Sequence, residues 1–292
     1  MPQRVAVLGS AGQVGTELVH ELQRRGYQVR GLKRSDLDIT DSSAVERALA
    51  AFDPEIVFNA TAYNMVDVAE SEPQAAFLVN ALAVRNLALT CRQIDARLVH
   101  FSTDYVFDGC ANRPYTEDDR PHPLSAYGVS KLAGELYAQA YLEKLLIIRT
   151  CGVFGPGGLK TARGNFVELM LRLASRPQPI RVVMDHVGTP TYSPLLAART
   201  IDLVERGQSG IFHIGGGTPI AWYEYAKLIF RIARLEPEVV PNTDREYRTA
   251  ARRPRYSALS NVRMEGVGLP AMPPLEQALQ LYFKERQEQL VS

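Results

Sequence analysis

The sequence predicts an α/β fold, a Rossmann-type doubly wound parallel sheet with a smaller C-terminal substrate lobe. Three observations predict it. Short apolar runs alternate with amphipathic helical segments through the first 150 residues, the pattern of βαβ units and a parallel sheet covered on both faces. A glycine-spaced turn, Gly9-Ser10-Ala11-Gly12-Gln13-Val14-Gly15, follows the first apolar run and opens the first helical segment. After Thr150 the texture changes: Gly152–Gly164 is rich in glycine and has no periodicity.

Taken in order, the expected strands are Arg4–Leu8, Gln28–Leu32, Ile56–Asn59, Leu98–Ser102 and Leu145–Arg149. Between them Gly15–Arg25, Ser42–Phe52, Pro73–Ile94 and Ser125–Leu142 carry apolar residues at helical spacing. Two later runs, Ile180–Met184 and Gly210–Ile214, are expected to return to the same sheet. Helices are expected near Trp222–Leu235 and Leu275–Gln289, separated by an Arg- and Pro-containing stretch that ends at Pro254. The boundaries that follow are 1–150, with 180–214 returning, for the sheet domain. Residues 151–179 and 215–292 make the lobe.

The composition narrows the class of partner. Lys and Arg number 33 against 32 Asp and Glu, a net charge of +1. A protein whose main partner is nucleic acid or an anionic membrane needs a basic excess on one face, so neither partner is expected. No apolar run approaches the roughly 18 residues of a membrane span. The chain passes from Met1 straight into a strand pattern, which leaves no room for a signal peptide and predicts a cytoplasmic protein. Cys91, Cys110 and Cys151 are odd in number and lack C-x-x-C spacing, as expected for idle thiols in a reducing compartment.

Glycines spaced G-x-x-G-x-x-G between a strand and a helix let backbone approach a pyrophosphate, which the helix N-terminus then attracts. Gly9, Ala11, Gly12, Gln13 and Val14 are therefore the expected contacts of a dinucleotide. At the end of the second strand no acid stands ready for a ribose 2′-hydroxyl. Lys33 and Arg34 stand there instead and suit a 2′-phosphate, so NADPH is expected, with NADH open. Asp38 and Ile39 are placed to meet the adenine.

The chemistry centres on Tyr127-Gly128-Val129-Ser130-Lys131. Residues four apart on a helix share a face, with Cβ atoms about 5–6 Å apart. An ammonium held there favours the phenolate, which lets the tyrosine exchange a proton. Carbonyl reduction needs that proton at oxygen while a hydride reaches carbon. The fourth strand ends in Ser102-Thr103, at the edge where open α/β sheets bind ligands. The Thr103 hydroxyl, or that of Ser102, can hydrogen-bond the substrate carbonyl. Ala60, Thr61 and Ala62 lie at the same edge and let the cofactor pass close. Asn80 either orients a loop or water or serves as a structural hydrogen-bonder.

Together these segments resemble the extended short-chain dehydrogenase/reductases, and most closely the dTDP-4-dehydrorhamnose reductase family. The resemblance is carried by Gly12-Gln13-Val14-Gly15, Leu37–Asp41, Asn59–Tyr63, Val66–Glu70, Ser102–Gly109 and Tyr127–Glu135, then by Gly188–Thr191 and Arg252-Arg253-Pro254. It implies hydride transfer from NADPH to C4 of a 4-keto-6-deoxyhexose carried on a nucleoside diphosphate, most closely dTDP-4-dehydro-L-rhamnose. By similarity Thr103 polarises the keto oxygen and Tyr127 donates the proton. Lys131 lowers the phenol pKa and holds the nicotinamide ribose. Val66, Asp104 and Tyr105 are implied on the sugar side, and Asn165 and Arg253 at the diphosphate or nucleotide.

The resemblance also leaves rivals: another nucleotide-sugar reductase, an epimerase that retains its NAD, or a non-catalytic dinucleotide-binding subunit like the regulatory subunit of methionine adenosyltransferase. A homodimer is compatible with the family. Two departures stand out. Where members often carry a tryptophan in the sugar pocket, the run here is Arg149-Thr150-Cys151-Gly152, and loss of that ring is expected to widen the pocket. Some members bind magnesium through glutamates at a dimer contact. Glu17 matches one of these, but Pro194 stands where another would be, so no metal site is expected.

Overall fold

The computed structural model describes residues 2–161, 164–246 and 248–291; positions 162 and 163 of the glycine-rich loop lie outside the described residues. Its strands of four residues or more are β1 (Arg4–Leu8), β2 (Gln28–Leu32), β3 (Ile56–Asn59), β4 (Arg97–Thr103), β5 (Leu145–Thr150), β6 (Ile180–Val183), β7 (Gly210–His213) and β8 (Val239–Asn242). Six of them form one parallel sheet in the order β2-β1-β3-β4-β5-β7.

The helices that cover this sheet follow from the period-2 pattern of the strands. Val5 and Val7 of β1 face one layer, made by α1 (Gln13–Arg24) and α6 (Ser193–Glu205), and pack with Leu18, Leu22, Leu196 and Ile201. Ala6 and Leu8 face the other layer. There they meet α2 (Ser42–Phe52), α3 (Pro73–Gln93) and α4 (Ala126–Tyr141) through Val45, Leu49, Val84, Leu87 and Ala138. Burial on both faces explains why the strands read as unbroken apolar runs. Asp41 caps α2 by accepting from Ala44 N at 2.9 Å, and Ser125 caps α4 by accepting from Gly128 N at 3.2 Å.

α3 is 21 residues long and holds an 18-residue window of mean hydropathy 1.2, long and apolar enough to cross a bilayer by those measures, although no uninterrupted apolar run of that length stands in the sequence. Half of that apolar window is buried inside the protein, where Val84, Leu87, Ala88 and Cys91 join the core. The helix widens to a π turn at Leu78–Leu82.

One expected strand lies elsewhere. β7 joins the main sheet beside β5, but β6 pairs in parallel with β8 in a separate two-stranded sheet. The reason is one-sided burial. Ile180 and Val182 are buried while Arg181 between them is exposed, which suits a ribbon lying on helices and not the interior of a covered sheet. That ribbon packs on a second apolar core with α5 (Phe166–Ala174), α7 (Trp222–Ala233) and α8 (Leu275–Val291), built around Phe154, Val167, Tyr225, Ile229, Leu279 and Tyr282.

A buried ion pair pins α4 to the sheet. Arg149 Nη2 of β5 lies 2.7 Å from Glu135 Oε2, with the two side chains 2% and 0% exposed. The guanidinium also stands over the Phe107 ring. Removing one partner strands the other charge. Glu135→Gln is therefore expected to cost about 3–5 kcal/mol in guanidinium unfolding. The double change Glu135→Leu with Arg149→Met is expected to recover most of that loss. A double variant as unstable as the single one would show that the pair is not the source.

Candidate active site

The chain leaves β1 for β2 on one side and later returns to β3 on the other, which opens a crevice at the carboxyl ends of β1 and β3. The glycine turn occupies it. Gly9 has φ +77°, and a Cβ there would lie 3.0 Å from the Ala60 carbonyl at the end of β3. Gly15 packs so closely on the Gly9 backbone that a side chain would overlap it. α1 begins after Gly12 with no side-chain cap, so its first turn presents N–H groups to an anion. This cradle fits a dinucleotide pyrophosphate.

Around the cradle the expected residues divide. Ala11 and Ala62 are exposed, and Val14, Ala60 and Thr61 are half-buried at the rim. Lys33 and Arg34 are exposed just past β2, whose Gly31 approaches Ser10 of the turn. The Gln13 amide is engaged: Nε2 donates to Val153 O at 2.7 Å, and Oε1 accepts from Asn165 Nδ2 at 3.1 Å. Asp38 accepts from Thr40 N at 2.9 Å and Thr40 Oγ1 at 2.8 Å. Those bonds, with Arg34 nearby, hold its carboxyl below the usual range. Ile39 turns into the core against α2, so the expected apolar adenine contact is not presented.

Thr103, Tyr127 and Lys131 come together at the end of β4. Thr103 is the last residue of the strand, and its hydroxyl donates to Asp104 Oδ1 at 3.1 Å while standing close enough to the Tyr127 phenol to influence its pKa. Thr103 Oγ1 also accepts from Tyr105 N at 3.2 Å. Lys131 is 2% exposed, and Nζ donates to the Phe101 carbonyl at 2.6 Å. Burial pushes the Tyr127 phenol up to about 12, with Thr103 pulling it down and Asp104 pushing it further up. Burial pulls Lys131 down to about 8, opposed by Glu135. Loss of solvent thus holds the phenol neutral, where the four-residue spacing implied a lowered one.

The residues that position this set were only partly visible in sequence. Asn80 does orient a loop: Oδ1 accepts from Tyr63 N at 2.8 Å, and Nδ2 donates to Tyr63 O and Ser130 Oγ, each at 3.0 Å. It ties the chain after β3 to α4, from a π turn of the kind that recurs at functional sites. Glu70 accepts from Ala126 N at 2.8 Å and places a carboxylate at the start of α4. Tyr105 meets the Tyr127 ring edge-on at 5.9 Å, and Val66 is half-buried in the loop that follows β3.

Three expected ligand contacts are occupied by the protein itself. Asp104 is 3% exposed and accepts from Ser257 Oγ at 2.5 Å and Thr103 Oγ1 at 3.1 Å. Burial pushes its carboxyl up against the pull of Ser257, Cys151 and Thr103. A carboxylate that deep needs internal donors, so it anchors residue 257 to the end of β4 and is not offered to a sugar. Asn165 caps α5 by accepting from Glu168 N at 3.1 Å while its amide nitrogen reaches Gln13. Arg253 forms a two-bond pair with Asp67, which the sequence reading placed in a motif without a role. Glu17 accepts from Gly157 N at 2.8 Å.

The space beside Gly152 is not open. This residue has φ +50°, and a Cβ there would lie 3.1 Å from the indole of Trp222. Trp222 starts α7 and is propped by Phe166 at 4.7 Å and Tyr225 at 5.8 Å between ring centres. An aromatic wall therefore comes from another element, against the expected widening.

The family model of the RmlD substrate binding domain matches residues 3–288. The spore coat polysaccharide biosynthesis protein SpsK of Bacillus subtilis is 38% identical, over 97% of this chain and 98% of its own length. The dTDP-4-dehydrorhamnose reductase of Mycolicibacterium smegmatis is also 38% identical, over 96% of this chain and 85% of its own. Among solved structures, dTDP-4-dehydrorhamnose reductase from Bacillus anthracis in complex with NADP aligns with a TM-score of 0.93 at 35% identity, covering 98% of this chain and all of that one.

Trp222 is the only tryptophan in the chain, so its emission reports on this wall. Gly152→Ala sets a side chain at positive φ against the indole. It is expected to lower stability by about 1 kcal/mol or more and to shift the emission maximum. An unshifted spectrum at unchanged stability would mean that Trp222 does not stand at Gly152.

Proposed function

This chain belongs to the RmlD substrate-binding-domain family, and we propose that it reduces the C4 keto group of a nucleotide-linked 6-deoxy-4-ketosugar with NADPH, converting dTDP-4-dehydro-L-rhamnose to dTDP-L-rhamnose. The observation that carries the reading is the Thr103–Tyr127–Lys131 set beside the glycine cradle at one sheet edge. The relatives' names supply the sugar. The cofactor is assigned to the six-stranded sheet and the nucleotide-sugar to the side of Thr103 and Tyr127 that faces the second core.

NADPH, when bound, supplies the hydride. The protein's own groups do the rest. Gly9, Ala11, Gly12, Gln13 and Val14 receive the pyrophosphate, and Lys33 and Arg34 receive the 2′-phosphate. Ala60, Thr61 and Ala62 let the cofactor lie close to the strand ends. The Thr103 hydroxyl, which at rest donates to Asp104, turns to donate to the keto oxygen, and Tyr127 gives that oxygen its proton. The phenolate that forms is stabilised by the Lys131 ammonium. Val66 and Tyr105 line the sugar side.

The first test is oxidation of NADPH by the purified protein with dTDP-4-dehydro-L-rhamnose. Folded protein that binds NADPH but turns over no sugar would sink the reading. Tyr127→Phe is expected to lower kcat by about 10²–10⁴-fold with NADPH affinity nearly unchanged; equal loss of both would make Tyr127 structural. Lys131 is charged below its pKa and neutral above it. The rate of reduction is therefore expected to fall as pH rises through about 8, and a flat profile there would remove Lys131 from the chemistry. Changing Lys33 and Arg34 to neutral residues is expected to weaken NADPH much more than NADH. An unchanged ratio of the two affinities would refute the 2′-phosphate assignment.

A further inference from the structure

Arg253 is held by a carboxylate in the posture in which a guanidinium holds a phosphate. Nη1 donates to Asp67 Oδ1 at 3.0 Å and Nη2 to Asp67 Oδ2 at 2.7 Å, two bonds from one fork. Guanidinium and phosphate meet in the same geometry. The fork is also steadied from its own segment, because Nη1 reaches Thr249 Oγ1 at 2.5 Å and Ala251 O at 3.2 Å. Its direction therefore does not depend on Asp67 alone. Asp67 in turn has another donor, Ala251 N at 3.1 Å, so losing the guanidinium does not strand it. The pair keeps solvent contact, with side chains 23% and 42% exposed, and pairs of that kind exchange at little cost.

The fork also stands in a telling place. The Tyr105 phenol lies within electrostatic reach of the Arg253 guanidinium, and the Tyr105 ring meets Tyr127 edge-on at 5.9 Å. One aromatic ring thus separates the guanidinium from the proton donor. A hexose is of similar size and carries its diphosphate at C1, across the sugar ring from C4.

Resting on the nucleotide-sugar reading above, we propose that the Asp67 carboxylate is a place-holder for the substrate diphosphate on Arg253. The diphosphate displaces Asp67 from the fork, and Asp67 stays on the Ala251 N–H. No covalent bond changes. A sugar without the diphosphate cannot make the exchange, so Asp67 and Arg253 together select for the nucleotide-linked form.

The test measures dissociation constants of dTDP and of thymidine for the full chain at fixed ionic strength. Asp67→Asn removes the competitor and is expected to tighten dTDP about two- to fivefold while leaving thymidine unchanged. Arg253→Gln is expected to weaken dTDP about tenfold or more, again with thymidine unchanged. With Arg253→Gln already present, Asp67→Asn should bring no gain. Unchanged or weaker dTDP binding in Asp67→Asn overturns the proposal. So does an equal gain in the Arg253→Gln background, which would reflect only the removed charge. Because dTDP needs no turnover, the outcomes separate. Binding as described without sugar reduction sinks the reductase reading alone, and reduction without an Asp67 effect sinks the place-holder alone.

Discussion

The whole site depends on how tightly α4 seats on the sheet. Gly128 lies against the Tyr105 carbonyl and Gly134 against the Asn80 carbonyl, so closely that a Cβ at either position would overlap backbone. Between them Lys131 is drawn inward to the Phe101 carbonyl, and one residue past Gly134 the Glu135 carboxylate meets Arg149. The two glycines remove the spacing that side chains would impose, and the two charges fix the depth. Tyr127 stands on the first turn of this helix, so its distance from Thr103 is set by contacts made further along. Interiors packed this densely transmit small displacements.

Seating at that depth explains the electrostatics. Loss of solvent raises the phenol and lowers the ammonium, so their usual order is reversed and the two are driven apart. A neutral phenol is the correct resting form for an acid that must protonate an alkoxide. The lysine is charged at neutral pH but holds its proton less firmly than a surface lysine does. Glu135 is the counterweight that keeps it charged, and Glu135 is itself committed to Arg149.

Much of this was legible in the residues. The five first strands, the glycine turn and the Thr103, Tyr127 and Lys131 set are local patterns, and local patterns survive folding. What sequence could not show is which polar atoms are already spent. Asp104, Asn165 and Arg253 carry the right groups for ligands. Whether Ser257, Glu168 N or Asp67 reaches them first depends on segments far away in the chain. The same limit hid the partner of β6, because Ile180 and Val182 suit any apolar surface and only β8 decides which one they join. The ring beside Gly152 was missed for a related cause: a missing aromatic is visible in sequence, but its replacement from α7 is a matter of three-dimensional proximity.

The Gln13 bridge has a consequence for how such a protein can be rebuilt. One amide side chain in the phosphate turn holds the Val153 carbonyl and the Asn165 cap of α5 at once. The turn and the second core therefore do not form interchangeable cassettes. A chimaera that grafts a new lobe after residue 150 inherits a Gln13 tuned to partners it no longer has, and the cofactor cradle loosens with it. Transplanting the lobe means carrying across the backbone at 153 and the asparagine at 165, the two positions that the Gln13 amide reaches.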